Sequence, residues 1–146
     1  METYNIALGD RVAETYQASP TVVAVDDDED SLVLLSYIIE ELPCFFFCET
    51  DGKAALDMIL SLKPSLILLD VRLPSLSGFD IIRKLKSSID TALIPVVAIT
   101  ALAGKHQQEK LLAAGFDYYI CKPYSLVDLQ AVVKRYLLAS SPVEAS

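Results

Sequence analysis

Four apolar runs in this chain end in residues that can do chemistry. Ser65-Leu66-Ile67-Leu68-Leu69 runs into Asp70, and Thr21-Val22-Val23-Ala24-Val25 runs into Asp26-Asp27-Asp28. Ile94-Pro95-Val96-Val97-Ala98-Ile99 runs into Thr100-Ala101, and Tyr118-Tyr119-Ile120-Cys121 runs into Lys122-Pro123. If the runs are strands of one sheet, three carboxylates, a hydroxyl and an ammonium meet along one edge. Crowded carboxylates repel one another and favour protonation unless a cation joins them. A hard divalent ion suits them, because magnesium takes oxygen ligands and keeps several waters. Asp26, Asp27 and Asp70 supply such oxygens, and the main-chain carbonyl of Arg72 is a further donor. A carboxylate can also attack phosphorus. Asp70 is then the acceptor, with Lys122 neutralising the equatorial oxygens of the transferring group and Thr100 bonding the phosphate once it arrives. Without phosphate, Lys122 is free to pair with Asp70.

The periods between these runs supply the elements that position them. Strand Thr21–Asp26 precedes helix Asp30–Leu42, with Leu32, Leu35, Ile39 and Leu42 on one face. Strand Cys44–Glu49 precedes helix Gly52–Leu62, where Leu56, Ile59 and Leu60 read as inward. Strand Ser65–Asp70 leads through a loop to helix Phe79–Ser87. Strand Ile94–Thr100 leads to helix Lys105–Ala114, stopped by Gly115. Strand Asp117–Cys121 leads to helix Leu126–Leu138, capped by Ser125, with Leu126, Leu129, Val133 and Leu137 on one stripe. Strands alternating with helices imply βαβ units, a parallel sheet and right-handed crossovers. In such α/β sheets ligands bind beyond the carboxyl ends of the strands. The polar residues above sit at those ends.

At 146 residues the chain suits one domain, spanning 20–139. Residues 1–19 read as an arm or a short helix over Asn5–Gln17, and 140–146 as a flexible tail, with no second domain following. Net charge is −8, and the 12 basic residues form no stripe, so nucleic-acid binding is not expected. Mean hydropathy is high at +0.40. No apolar stretch reaches the roughly 18 residues of a membrane span, because Glu40, Glu41 and Pro43 interrupt the longest. Strands buried on both faces explain the apolarity. Met1-Glu2-Thr3-Tyr4 offers no basic stretch followed by an apolar core, so a signal peptide is not expected there. Cys44, Cys48 and Cys121 read as small buried hydrophobes in a reducing cytoplasm. Cys44 and Cys48 lie roughly 13 Å apart along a strand, too far to bridge. His106 is expected to be an exposed helix residue, and Phe45-Phe46-Phe47 to pack in the core and on the sheet face.

Asp26-Asp27, Asp70, Thr100-Ala101 and Lys122-Pro123, in this order and spacing, resemble the receiver domain of two-component response regulators. Leu73-Pro74, Gly78 and Ala114-Gly115-Phe116-Asp117-Tyr118 resemble it too, and the likeness covers residues 21 to about 138. It implies a flavodoxin-like (βα)5 fold with a doubly wound, five-stranded parallel sheet in the order 2-1-3-4-5. It implies that Asp70 accepts phosphate from a partner phosphohistidine. Asp27 and Asp70 would ligate Mg2+ through side chains, Asp26 through water and Arg72 through its carbonyl, with Mn2+ able to substitute. Thr100 would be the switch hydroxyl, Lys122 the phosphate-binding cation and Tyr119 the aromatic switch partner. The implied partners are a sensor histidine kinase or phosphotransfer protein, a downstream protein target, and a second copy through the fourth helix, fifth strand and fifth helix. Arg72 and Leu102 lie where they would flank the phosphoryl group and bear on its hydrolysis. Two other readings stand beside this one. A pseudo-receiver would serve purely as an interaction module. An aspartate-nucleophile phosphatase would use Asp-x-Asp after its first strand, whereas here the central acid, Asp70, follows the third.

Overall fold

The computed structural model describes residues 20–74, 76–102 and 104–139. The expected arm or helix within 1–19 and the tail 140–146 lie outside them. The described residues form ten elements: β1 Thr21–Val25, α1 Glu29–Ile39, β2 Phe45–Glu49, α2 Gly52–Leu62, β3 Leu66–Asp70, α3 Gly78–Lys86, β4 Val96–Thr100, α4 Lys105–Ala114, β5 Tyr118–Cys121 and α5 Leu126–Ala139. All strand pairings are parallel, in the order β2-β1-β3-β4-β5.

Strand side chains alternate in direction, so each strand feeds two cores. Val22, Ala24, Leu66, Leu68, Val97 and Ile99 pack with α1 and α5. Val23, Val25, Ile67, Leu69, Val96 and Ala98 pack with α2, α3 and α4. β3 and β4 are buried at all five positions, which is why they read as unbroken apolar runs rather than alternating ones. Shortening a fully buried residue such as Leu68 to Ala costs roughly 2–5 kcal/mol.

Local chemistry sets the helix ends. The Asp28 side chain accepts from the Asp30 N–H and caps α1. Ser77 and Asp80 form a reciprocal capping box on α3. Ser125 Oγ accepts from the Asp128 N–H at the start of α5. Gly115 ends α4 at φ 114°, a conformation that favours glycine.

Several inward assignments change. α1 stops at Ile39, yet Leu42 stays buried beyond it. In α2 the inward stripe is Gly52–Ala55–Ile59, and Leu60 is 47% exposed. The stripe turns this way because Gly52 packs against Leu76, whose carbonyl a Cβ there would meet at 3.0 Å. Leu126 is 51% exposed, because it stands one turn ahead of Leu129, the first residue of α5 to reach the core. The cysteines are not all buried. Cys48 is exposed, and Cys44 and Cys121 are half-buried, all three free. The cause is that β2 and β5 are the outer strands of the sheet. Burial still pushes the Cys44 thiol up to about 11. Phe46 packs on the core beside α1, but Phe47 is partly exposed on the same outer strand. His106 is exposed, as expected.

Candidate functional site

The sheet order reverses at β1, with β2 on one side and β3 on the other. The loops after β1 and β3 therefore lead away from each other and open a crevice at the strands' carboxyl ends. Asp26 ends one side of that crevice and Asp70 the other.

Lys122 bridges them. Its Nζ lies 2.9 Å from Asp26 Oδ2 and 3.0 Å from Asp70 Oδ2. The sequence predicts the pairing with Asp70 but not the one with Asp26, across the two intervening strands β3 and β4. Asp26 is only 1% exposed, and its Oδ1 accepts from the Asp28 N–H at 2.9 Å. Asp70 is also buried, and its Oδ1 accepts from the Arg72 N–H at 2.7 Å. These bonds hold both carboxylates in fixed orientations. Asp27 is exposed on the rim. One oxygen from each of Asp26, Asp27 and Asp70 can be drawn so that all three lie within 4.8 Å. Three hard oxygen donors at that spacing fit a hexacoordinate ion that retains water, so the residues present suit Mg2+.

The electrostatics follow from burial. Desolvation pushes the Asp70 carboxyl above its ordinary value; the Arg72 N–H and Lys122 pull against it, and the charge on Asp26 adds to it. Burial disfavours the Lys122 ammonium, but its bonds to Asp26 and Asp70 win and hold its pKa above the usual lysine value.

Backbone contacts fix the walls. The Gly78 N–H donates to the Val71 carbonyl, and a Cβ on Gly78 would stand 2.8 Å from Val71 Cα and 2.9 Å from the Asp70 carbonyl. Only glycine lets α3 start against the strand end that carries Asp70. Thr100 ends β4, and its Oγ1 accepts from the Leu102 N–H at 3.0 Å. The Lys122 N–H donates to the Thr100 carbonyl, which ties the ends of β4 and β5 together. Tyr119, one of the residues singled out from the sequence, is not in the crevice. It lies on β5 against the core shared by α2, α3 and α4. The Arg72 and Leu102 side chains are exposed at the crevice margin. The chain matches the family model of the response regulator receiver domain over residues 22–134.

It belongs to that family. The receiver domain is 34% identical over 117 residues to the polar-differentiation response regulator DivK of Brucella anthropi, covering 80% of this chain and 95% of that one. The Francisella response regulator 1452 receiver domain superposes with a TM-score of 0.78 at 26% identity, covering 84% of this chain and all of the other. The receiver domain of the sensor histidine kinase PA1611 of Pseudomonas aeruginosa superposes with a TM-score of 0.74 at 26% identity, covering 82% and 98%. That structure has a magnesium ion coordinated in its active-site cleft. The flavodoxin-like order 2-1-3-4-5 expected from the sequence is thus the fold of this receiver domain. The chain is a signalling module of two-component systems. Among the described residues no helix is long and apolar enough to cross a membrane.

Proposed function

We propose that residues 20–139 form a phosphorylation-controlled switch in which Asp70 takes a phosphoryl group from a phosphohistidine on a sensor kinase or phosphotransfer protein. The observation that carries this reading is the Lys122 ammonium, held between two buried carboxylates beside an exposed third. An Asp70 oxygen attacks phosphorus; the new P–O bond forms as the P–N bond breaks, and the imidazole leaves with its electron pair. Lys122 turns from the carboxylates to the phosphoryl oxygens as they arrive. Thr100 Oγ1 gives up its contact with Leu102 and donates to one of them. Mg2+, for which Mn2+ can substitute, would be held by Asp27, Asp70, the Arg72 carbonyl and, through water, Asp26; it supplies positive charge that offsets the acids and the transferring group. The chain turns over no separate substrate. It acts in the cytoplasm by contact with a downstream protein or with a second copy through α4, β5 and α5, and not through nucleic acid.

The test is incubation with acetyl phosphate with and without Mg2+, followed by intact-mass measurement. A single phosphoryl adduct that needs the metal supports the proposal. Absence of any adduct with metal present favours a pseudo-receiver, and continuous release of inorganic phosphate from phosphomonoesters favours a phosphatase.

Metal binding has its own expected result. Mg2+ raises the melting temperature of the wild-type chain, since an ion bound only by the folded state stabilises it by mass action. Asp27→Ala loses most of that rise. The same variant without metal melts no lower than wild type, because one charge leaves a crowded edge. A metal-induced rise as large in Asp27→Ala as in wild type rules Asp27 out as a ligand.

Phosphate lifetime is the next expectation. Hydrolysis needs water in line with the phosphorus–oxygen bond of Asp70, and Arg72 and Leu102 stand at the margin of that approach. Leu102→Glu and Arg72→Asn, which put polar groups there, change the decay rate severalfold and leave phosphorylation intact. Decay followed by intact mass checks this, and identical rates in all three proteins refute it.

A further inference from the structure

Tyr118 and Tyr119 are successive residues of β5, so their side chains start on opposite faces of the sheet. Tyr119 packs against the core under α2, α3 and α4. Tyr118 faces α5, where the Arg135 guanidinium lies 5.6 Å from its ring centre. The two rings nevertheless stack, with centroids 5.8 Å apart and planes 22° from parallel. This is possible because β5 ends the sheet among the described residues. Both rings fold over its open edge and meet there. Arg135 also lies 5.8 Å from the Tyr136 ring, which packs on the core between α1 and α5. Tyr119, Tyr118, Arg135 and Tyr136 thus form one column that leaves one core, wraps the sheet edge and enters the other.

We infer that this column sets the resting position of Tyr119 and carries its movement to α5, with Tyr118 and Arg135 as positioning residues of the switch. The inference rests on the switch role that the family resemblance implies for Tyr119, whose ring would turn into the space Thr100 leaves as it moves to the phosphoryl group. Ring stacking and a guanidinium over a ring are each modest contacts. A two-state ring needs no more, because its equilibrium shifts by whatever free energy separates the two positions. When Tyr119 leaves the stack, Tyr118 loses the ring that holds it in place, and Arg135 then rests on a Tyr118 ring free to shift and on Tyr136. The side chain that reports the change sits on α5, a full sheet edge away from the phosphate.

The experiment is NMR of the labelled full chain, with beryllofluoride and Mg2+ as the phosphoryl mimic. Signals of the Thr100 amide, the Tyr119 ring and the Arg135 Nε–H are followed. In wild type all three move on adding the mimic. In Tyr118→Ala the Thr100 and Tyr119 signals still move, while the Arg135 response falls at least threefold. Without the mimic, Tyr118→Ala and Arg135→Gln raise the inward population of Tyr119 by about three- to tenfold, read from side-chain couplings. Tyr118→Phe keeps the ring and restores both behaviours, which a loss of general stability would not explain. An undiminished Arg135 response in Tyr118→Ala overturns the inference, and so does a resting Tyr119 population unmoved by both variants. The resting measurement needs no phosphoryl mimic. If Thr100 fails to respond in wild type, the phosphorylation reading fails, and an unmoved resting population separately defeats the column.

Discussion

Asp70→Asn leaves the chain without an aspartyl-phosphate after incubation with acetyl phosphate and Mg2+, while the wild-type chain gains one phosphoryl group. An amide oxygen is a poor nucleophile towards phosphorus, so the loss is expected to be complete on the timescale of wild-type labelling. Asp26 does not replace it, because it is only 1% exposed, against 7% for Asp70, and so is less open to an incoming phosphoryl group. Asp27 does not replace it either, since it lies on the rim rather than on the strand that faces the crevice floor. The fold survives the substitution. Desolvation already raises the Asp70 pKa, so removing its charge relieves a cost. A folded state with a raised carboxyl pKa is most favoured below the ordinary carboxylate range and loses that advantage as pH rises through the shifted value. Asp70→Asn should therefore unfold at or above the wild-type midpoint at pH 7, with the difference closing as pH falls towards 4. Unfolding curves at both pH values separate lost chemistry from lost structure. A mutant that is labelled as fast as wild type ends the assignment.

Lys122→Met is expected to have the largest effect on stability. It leaves Asp26 and Asp70 facing each other without a counter-ion in a largely buried crevice. Breaking a buried ion pair by removing one partner costs about 3–5 kcal/mol. Lys122 is itself 27% exposed, so screening by water places this loss near the bottom of that range. The lysine pKa is raised in the fold. Its contribution is therefore fully present below the unfolded lysine value and is lost only as pH climbs through the elevated folded one. Wild type keeps that contribution throughout the neutral range. In the variant, Asp70, whose carboxyl burial already pushes up, takes a proton more readily in acid, which removes the repulsion, so the deficit seen at pH 7 narrows at pH 5. Adding Asp70→Asn to Lys122→Met recovers part of the loss, and Mg2+ recovers part of it in the single variant. Urea unfolding of the three proteins at the two pH values checks this. A deficit equal at pH 5 and pH 7 means the lysine acts through packing of its stem rather than through charge.

The alternation of apolar runs and helical stripes made the sheet and its polar edge legible in the sequence. β3 and β4 were the clearest, because burial on both faces leaves a continuous apolar string ending in Asp70 or Thr100. The outer strands were less clear. Phe45-Phe46-Phe47 and Cys48 look as apolar as β3, yet β2 has a neighbour on one side only and exposes Phe47 and Cys48. Composition cannot tell an outer strand from an inner one. Helical spacing puts Leu60 and Leu126 inward, but spacing fixes the width of a stripe and not where it meets the sheet. The bond between Lys122 and Asp26, 96 residues apart, depends on how far each side chain reaches across the crevice, which strand patterns do not encode. The Tyr118–Tyr119 stack is hidden for a related reason: neighbouring strand residues point to opposite faces, and only the reach of both rings round an outer strand lets them meet.

The sheet divides the interior into two chambers that share strands but no helices. A change in Leu35 of α1 and a change in Ile81 of α3 are separated by its whole thickness, and effects at such distant sites are close to additive. Each chamber can therefore accumulate its own substitutions without compensation in the other. A lineage can remodel the α1–α5 side while the α2–α3–α4 side stays as it was, provided the carboxyl ends of the strands keep their places. That independence is one physical route by which chains of this family drift to about a quarter identity and still superpose.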